Sequence, residues 1–245
     1  MYDPMAAHRG MKKELRGLGF FALALLTAYI VFVYPHTHDF ETSDLQCSEL
    51  NAFWIDKARK DFAFSPAWDE GTFDCPSKEA GMARALHFIS RLDGPMEGKQ
   101  PRQSFYEWAK DLKPVFNTRI LYGLAGRARF DERAIDLSPL LLTKNNWINI
   151  AGVLIHELRH LEQGFNSHVP CTANADNVCD AKLGPDPAQG GAYSYNVLFF
   201  HHVRQSPATS AYEKRLARDE LKTLIQKRFN TISPAARKRF GADGD

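Results

Sequence analysis

His156 and His160 lie four residues apart in a segment whose apolar spacing predicts a helix, and Glu157 follows the first of them. Residues i and i+4 share one helical face, a turn apart. Two imidazoles so placed can hold one Zn²⁺, and the adjacent glutamate can reach a water on that metal. Val153, Leu154, Ile155, Leu158 and Leu161 make the segment strongly apolar, as a site buried between subdomains needs. A core helix with two incidental histidines is the other reading. It leaves buried rings on successive turns without partners, which costs free energy. A metal gives both a partner at once. Asn145 or Thr143 can cap the start of the helix, and Gly164 can stop it.

The chain around this helix has 245 residues, 44% hydrophobic and 24% charged, enough for one sizeable globular domain. A net charge of +2 gives no case for nucleic acid. Residues 18–34 form a run of 17 without charge. That length is the lower limit for spanning a bilayer and exceeds the usual apolar core of a signal peptide. Arg9, Lys12, Lys13 and Arg16 precede the run, and Asp39, Glu41 and Asp44 follow it. The basic flank should stay in the cytoplasm. The expectation is a basic cytoplasmic tail over 1–17, a transmembrane anchor over 18–34, a spacer over 35–41 and one domain over 42–245 facing outward. A cleaved signal peptide with secretion is the alternative.

Cysteine usage agrees with export. Cys47, Cys75, Cys171 and Cys179 are even in number, and disulfides are the default in an exported chain. Proximity suggests pairing Cys47 with Cys75 and Cys171 with Cys179, although four cysteines allow other pairings. None has the C-x-x-C spacing of a zinc site.

Periodicity predicts helices over 44–62, 77–91, 104–112, 189–203, 211–229 and 234–240. Residues 118–124 and 128–137 read as strands, separated by a Gly-Leu-Ala-Gly break. The fold class expected is therefore α+β, helix-rich, with a small sheet. The Lys/Arg-rich C-terminal helices read as solvated faces, since acidic residues are interspersed, with contact to anionic lipid near the anchor as the alternative.

A catalytic zinc takes three protein ligands and keeps a fourth position for water. Five of the nine histidines lie between residues 156 and 202, so the search for the third ligand is local. His168 is the first candidate, because Gly164 ends the helix and residues 165–167 can turn the chain back. Asp180 is the alternative third ligand, and Asp186, His201 and His202 follow. A glycine turn that delivers a third histidine resembles the metzincins. Their pattern would need glycine at Gln163, histidine at Asn166 and a methionine turn downstream, and no Met follows Met96, so the chain is not assigned to them.

His156-Glu157-Leu158-Arg159-His160 is followed by His168-Val169-Pro170-Cys171-Thr172, Cys179-Asp180 and Gly190-Gly191-Ala192-Tyr193. In this combination residues 155–199 resemble exported bacterial proteins described as zinc metallopeptidases, with H-E-x-R-H, H-V-x-C-T, C-D and G-G-A-Y. The resemblance implies a zincin-like domain. With the anchor, it places the domain on a bacterial inner membrane, in the periplasm or outside. The activity expected is zinc-dependent hydrolysis of peptide bonds in an envelope protein or peptide. His156, His160 and His168 would hold the zinc, Glu157 would act as general base, and Tyr193 would donate to the oxyanion.

Gly190 and Gly191 would let a helix start pack closely against another backbone. Arg159 would anchor the metal helix through a carboxylate such as Asp136 or Asp180. In zinc peptidases an edge strand beside the metal helix pairs with extended substrate, and 128–137 is the candidate here. The competing function is a non-catalytic zinc-binding or envelope-interaction domain.

Overall fold

The computed structural model describes residues 52–65, 78–92, 103–144, 146–165, 167–175 and 177–241. All belong to one unit, Gln46–Asp245. The tail, the anchor over 18–34, the spacer and the Cys47–Cys75 pair lie outside the described residues. Among the described residues no helix is long and apolar enough to cross a membrane.

In chain order the elements are α1 (Ala52–Asp61), β1 (Ala63–Phe64), α2 (Lys78–Arg91), α3 (Phe105–Asp111), β2 (Val115–Thr118), β3 (Gly126–Arg129) and β4 (Ala134–Leu137). Then come α4 (Pro139–Lys144), α5 (Trp147–His160), β5 (Val169–Pro170), β6 (Val178–Leu183), a 3-10 turn (Pro187–Gln189), α6 (Ala192–Gln205), α7 (Ala211–Lys227), β7 (Phe229–Ile232) and α8 (Pro234–Phe240). The fold is helix-rich α+β with small sheets, as the sequence predicts.

Among the described residues one sheet has the order β1-β2-β4-β3 and the other β5-β6-β7. In the first sheet β1, β2 and β4 are parallel, and β3 is antiparallel to β4 at the edge. In the second, β5 is antiparallel and β7 parallel to β6.

Helix α5 is the axis of the core. Ile148, Ala151, Leu154, Ile155 and Leu158 are fully buried, and the helix packs between α2 and α6. Its cap is Asn146, whose side chain accepts from the Asn149 N–H at 2.9 Å. Thr143 does not fill that role, because it lies inside the short helix α4, and Asn145 lies outside the described residues.

Two strand expectations need correction. Residues 118–124 are not a strand: β2 ends at Thr118, and the chain turns through Gly123 at φ 73°. Residues 128–137 are not one strand but most of a hairpin, β3 and β4, broken by a turn with Arg133 at φ 49°. All of β4 is buried, so it is an interior strand and the edge is β3. The periodicity does not predict the second sheet. Its strands are short and sit in polar cysteine-loop sequence, and β7 follows directly on the helical pattern of α7.

Arg159 is almost wholly buried, yet it does not pair with Asp136 or Asp180. Its guanidinium donates to the carbonyls of Ala188 (2.9 Å) and Gly190 (2.8 Å). It also pairs with Glu162 and lies between the rings of Phe165 and Tyr195, 3.4 and 4.1 Å from their centroids. Asp136 is taken by Arg129 at 3.1 Å. Arg159 therefore ties α5 to the start of α6 through main-chain carbonyls. Arg159→Met leaves those carbonyls without the guanidinium and takes from Glu162 its ion-pair partner, although the Trp108 indole N–H still donates to Glu162 at 3.1 Å. The expected cost is roughly 3–5 kcal/mol, a drop in Tm on the order of 10 °C for a domain of this size. Thermal unfolding checks it, and an unchanged Tm would contradict the anchoring role.

Candidate metal centre

His156 and His160 project from α5 one turn apart, with their Nε2 atoms 3.3 Å from each other. After His160 the chain reverses through a tight turn, passing Gly164 at φ 88°, a left-handed conformation that glycine adopts without strain. The returning chain presents His168 just before β5. Its Nε2 lies 3.0 Å from those of both His156 and His160. Strand β5 pairs with β6 in the register Val169↔Cys179, and the Cys171–Cys179 disulfide closes that hairpin. The disulfide is the one that sequence proximity suggests. It fixes the strand that follows His168 against the strand that carries Asp180.

The three nitrogens face one another, and protein hydrogen bonds cannot account for that. His160 Nδ1 lies 2.6 Å from the Phe165 carbonyl, and a carbonyl only accepts. So Nδ1 carries the proton and a neutral His160 offers a lone pair at Nε2. Each N–H can point at only one neighbour, so three converging ring nitrogens cannot satisfy each other around a triangle. A cation at their centre satisfies all three.

Spacing fits as well. Tetrahedral ligands about 2.0–2.1 Å from a metal stand about 3.3 Å apart. Burial pushes His156 far below its ordinary pKa, helped by the charges of His160, His168 and Arg228. Burial also lowers His160, against the pull of the Phe165 carbonyl. Neutral imidazoles are the ligating form. The His156/His160/His168 group can hold a metal ion, and among the described residues no fourth His, Cys, Asp or Glu joins it.

Asp180 is placed elsewhere. Its Oδ2 accepts from the N–H and hydroxyl of Ser194 at 2.8 and 2.9 Å, on the first turn of α6. Its Oδ1 stands 3.3 Å from His168 Nδ1, and that buried nitrogen has no aligned hydrogen bond. A carboxylate behind a ligating histidine fixes the ring's orientation and raises its basicity. Asp180 thus caps a helix and backs His168, and its engaged carboxylate is not a third ligand.

Gly191 makes this possible, since a Cβ there would lie 2.5 Å from Asp180 Oδ1. The glycine pair therefore packs on this carboxylate and on the Ser194 side chain bonded to it, Gly191 against the first and Gly190 against the second. Its link to α5 is the Gly190 carbonyl that receives Arg159. The remaining ligand candidates are occupied too. Asp186 caps the 3-10 turn, while His201 and His202 meet the rings of Phe240 and Phe105 edge-on.

Glu157 is buried beside the histidines. Its Oε2 accepts from the Ala128 N–H of β3 at 2.8 Å. In the hairpin ladder Ser138 N–H donates to Ala125 O at 2.9 Å, so the alternate residues Gly126 and Ala128 turn their backbone groups away from β4 and toward α5. A Cβ at Gly126 would lie 2.9 Å from Glu157 Cγ and 3.0 Å from its Oε1. Glycine at that position lets the edge strand touch the glutamate, a contact the sequence shows only as a chain break. Burial pushes the Glu157 carboxyl up to about 7, against the lowering effect of the Ala128 N–H.

Tyr193 lies on the first turn of α6. Its ring stacks on His168 at 4.6 Å and tilts over His156 at 4.5 Å. Burial raises its pKa, so the hydroxyl keeps its proton. Arg228, which the sequence suggests only as part of a solvated cationic end, stands over the same ring at 5.1 Å. These groups line one cleft of about 510 Å³ with β3 along one side. No family model, curated protein or solved structure matches this chain.

Proposed function

We infer that this domain hydrolyses peptide bonds with zinc held by His156, His160 and His168. The observation that carries the reading is a tri-histidine group with a buried carboxylate, Glu157, beside it and facing the same cleft. When bound, zinc supplies Lewis acidity, which polarises a carbonyl and acidifies water. A three-ligand set favours this open arrangement over a closed, four-coordinate structural site.

The chain's own groups then divide the work. Ala128 fixes Oε2 of Glu157, leaving Oε1 to take a proton from the attacking water and return it to the leaving amine. On the side of β3 away from β4, the Gly126 backbone and the Ala128 carbonyl offer an edge for an extended peptide, while the Ala128 N–H is held by Glu157. Tyr193, kept neutral by burial, remains a donor for the developing oxyanion. The uncharged run 18–34 with its basic flank, and the Cys171–Cys179 disulfide, support an anchored domain in an oxidising envelope compartment.

Metal content tests the foundation. Purified residues 40–245 should carry about one zinc per chain, and a His156→Ala/His160→Ala variant none. Two folded proteins without zinc would remove the site and the activity with it.

A further inference from the structure

Arg228 occupies an unusual place for a cation. It sits where α7 ends and β7 begins, half-buried in the same cleft as the histidines. Its guanidinium donates to the Val178 carbonyl at 3.3 Å and covers the Tyr193 ring. Among the described residues no carboxylate pairs with it. By contrast, the buried Arg159 and the half-buried Arg129 each hold a carboxylate. A guanidinium has several N–H donors in a planar fork that suits a carboxylate, and the Val178 carbonyl occupies only one.

The charge balance of the cleft points the same way. Its other arginine is Arg127, exposed on the edge strand, and its one carboxylate is Glu157, already held by Ala128. A metal on the three histidines adds further positive charge. Even with Glu157 in the lining and Asp180 behind His168, the excess is positive, and such an excess raises the local concentration of anions and speeds their capture.

We propose that Arg228 is the carboxylate-recognising residue of this cleft, so that the preferred ligands are acidic peptides with a carboxylate near the metal site. The proposal rests on the peptidase reading and adds its substrate class. Stacking on Tyr193, itself packed on His156 and His168, sets the guanidinium within the metal site's surroundings. The carboxylate can be an acidic side chain or the peptide's own C-terminus. The former makes the domain an endopeptidase with acidic preference, the latter a carboxypeptidase.

The test uses binding, so it does not depend on turnover. The zinc-loaded Glu157→Gln chain is titrated with fluorescent peptides of one neutral parent sequence. One set carries a single Glu at each position in turn and a C-terminal amide. Another keeps neutral side chains and a free C-terminal carboxylate. The parent has neither charge. One charged set should bind about 10–100-fold tighter than the parent, the range of a hydrogen bond to a charged group. Which set does so identifies the source of the carboxylate.

Adding Arg228→Gln should shrink that advantage to within about twofold, and Arg228→Lys should restore part of it. The substitution spares the main chain, where the Arg228 carbonyl accepts from the Asp180 N–H at 3.0 Å. Zinc content of each variant reports an intact site. Raised salt should weaken the charged peptide in the unsubstituted Arg228 background, a check that needs no change at that residue. Absence of any charge preference, or a preference that survives Arg228→Gln, overturns the proposal. Loss of zinc or of cleavage in the parent chain, with the charge preference intact, would instead overturn the peptidase reading.

Discussion

Glu157→Gln lowers peptide turnover by about 10²–10⁴-fold, the usual contribution of a positioned general base, and leaves the metal bound. The amide oxygen still accepts from the Ala128 N–H, and the side chain keeps the volume that Gly126 accommodates. Fold and metal site therefore stay as they are. What disappears is a group that can take a proton at Oε1. Glu157 lies outside the tri-histidine group, so zinc stoichiometry should match wild type. KM should change little while kcat falls, the pattern of an interaction made in the transition state. Cleavage at the wild-type rate would rule out Glu157 as the base. A chain that keeps its zinc but cuts no peptide, with or without Glu157, would favour the non-catalytic binding domain.

The parts of the site that are legible in the sequence are those set by local geometry. His156, Glu157 and His160 share one helix, and their relation follows from its period. His168 is harder, because its place depends on a reversal through Gly164 and a two-residue strand, β5, whose pairing comes from β6. Asp180 is ambiguous in sequence between ligand and support. The deciding contact is with Ser194 on the first turn of α6, where that helix is brought by packing.

The sequence suggests for Arg159 a carboxylate partner from across the fold. The side chain meets main-chain carbonyls instead, which every residue carries and no pattern advertises. Arg228 reads as the solvated end of a long charged helix. The helix stops at Lys227 and the chain enters β7, turning that side chain toward the cleft. That β3 and β4 read as one strand over 128–137 has a physical cause. A four-residue strand buried throughout, as β4 is, shows no alternation, and the alternating stretch around it spans a turn.

His168→Ala should weaken metal binding sharply, and this outcome separates the three-histidine centre from a pair of histidines on a helix. Protein zinc sites are worth on the order of 10–16 kcal/mol, so one ligand among three or four contributes roughly 3–4 kcal/mol. At about 1.4 kcal/mol per tenfold, affinity falls by roughly 10²–10³. Asp180→Asn should act on the same centre more weakly. It keeps an oxygen for the Ser194 donors but loses the charge behind His168, and removing such a backing group costs about 10–100-fold in affinity. Competition with a chromogenic chelator measures both variants against wild type. The order expected is wild type, then Asp180→Asn, then His168→Ala. The reverse order would make Asp180 the third ligand and His168 its support, against the 3.0 Å spacings that bring His168 to both helix histidines.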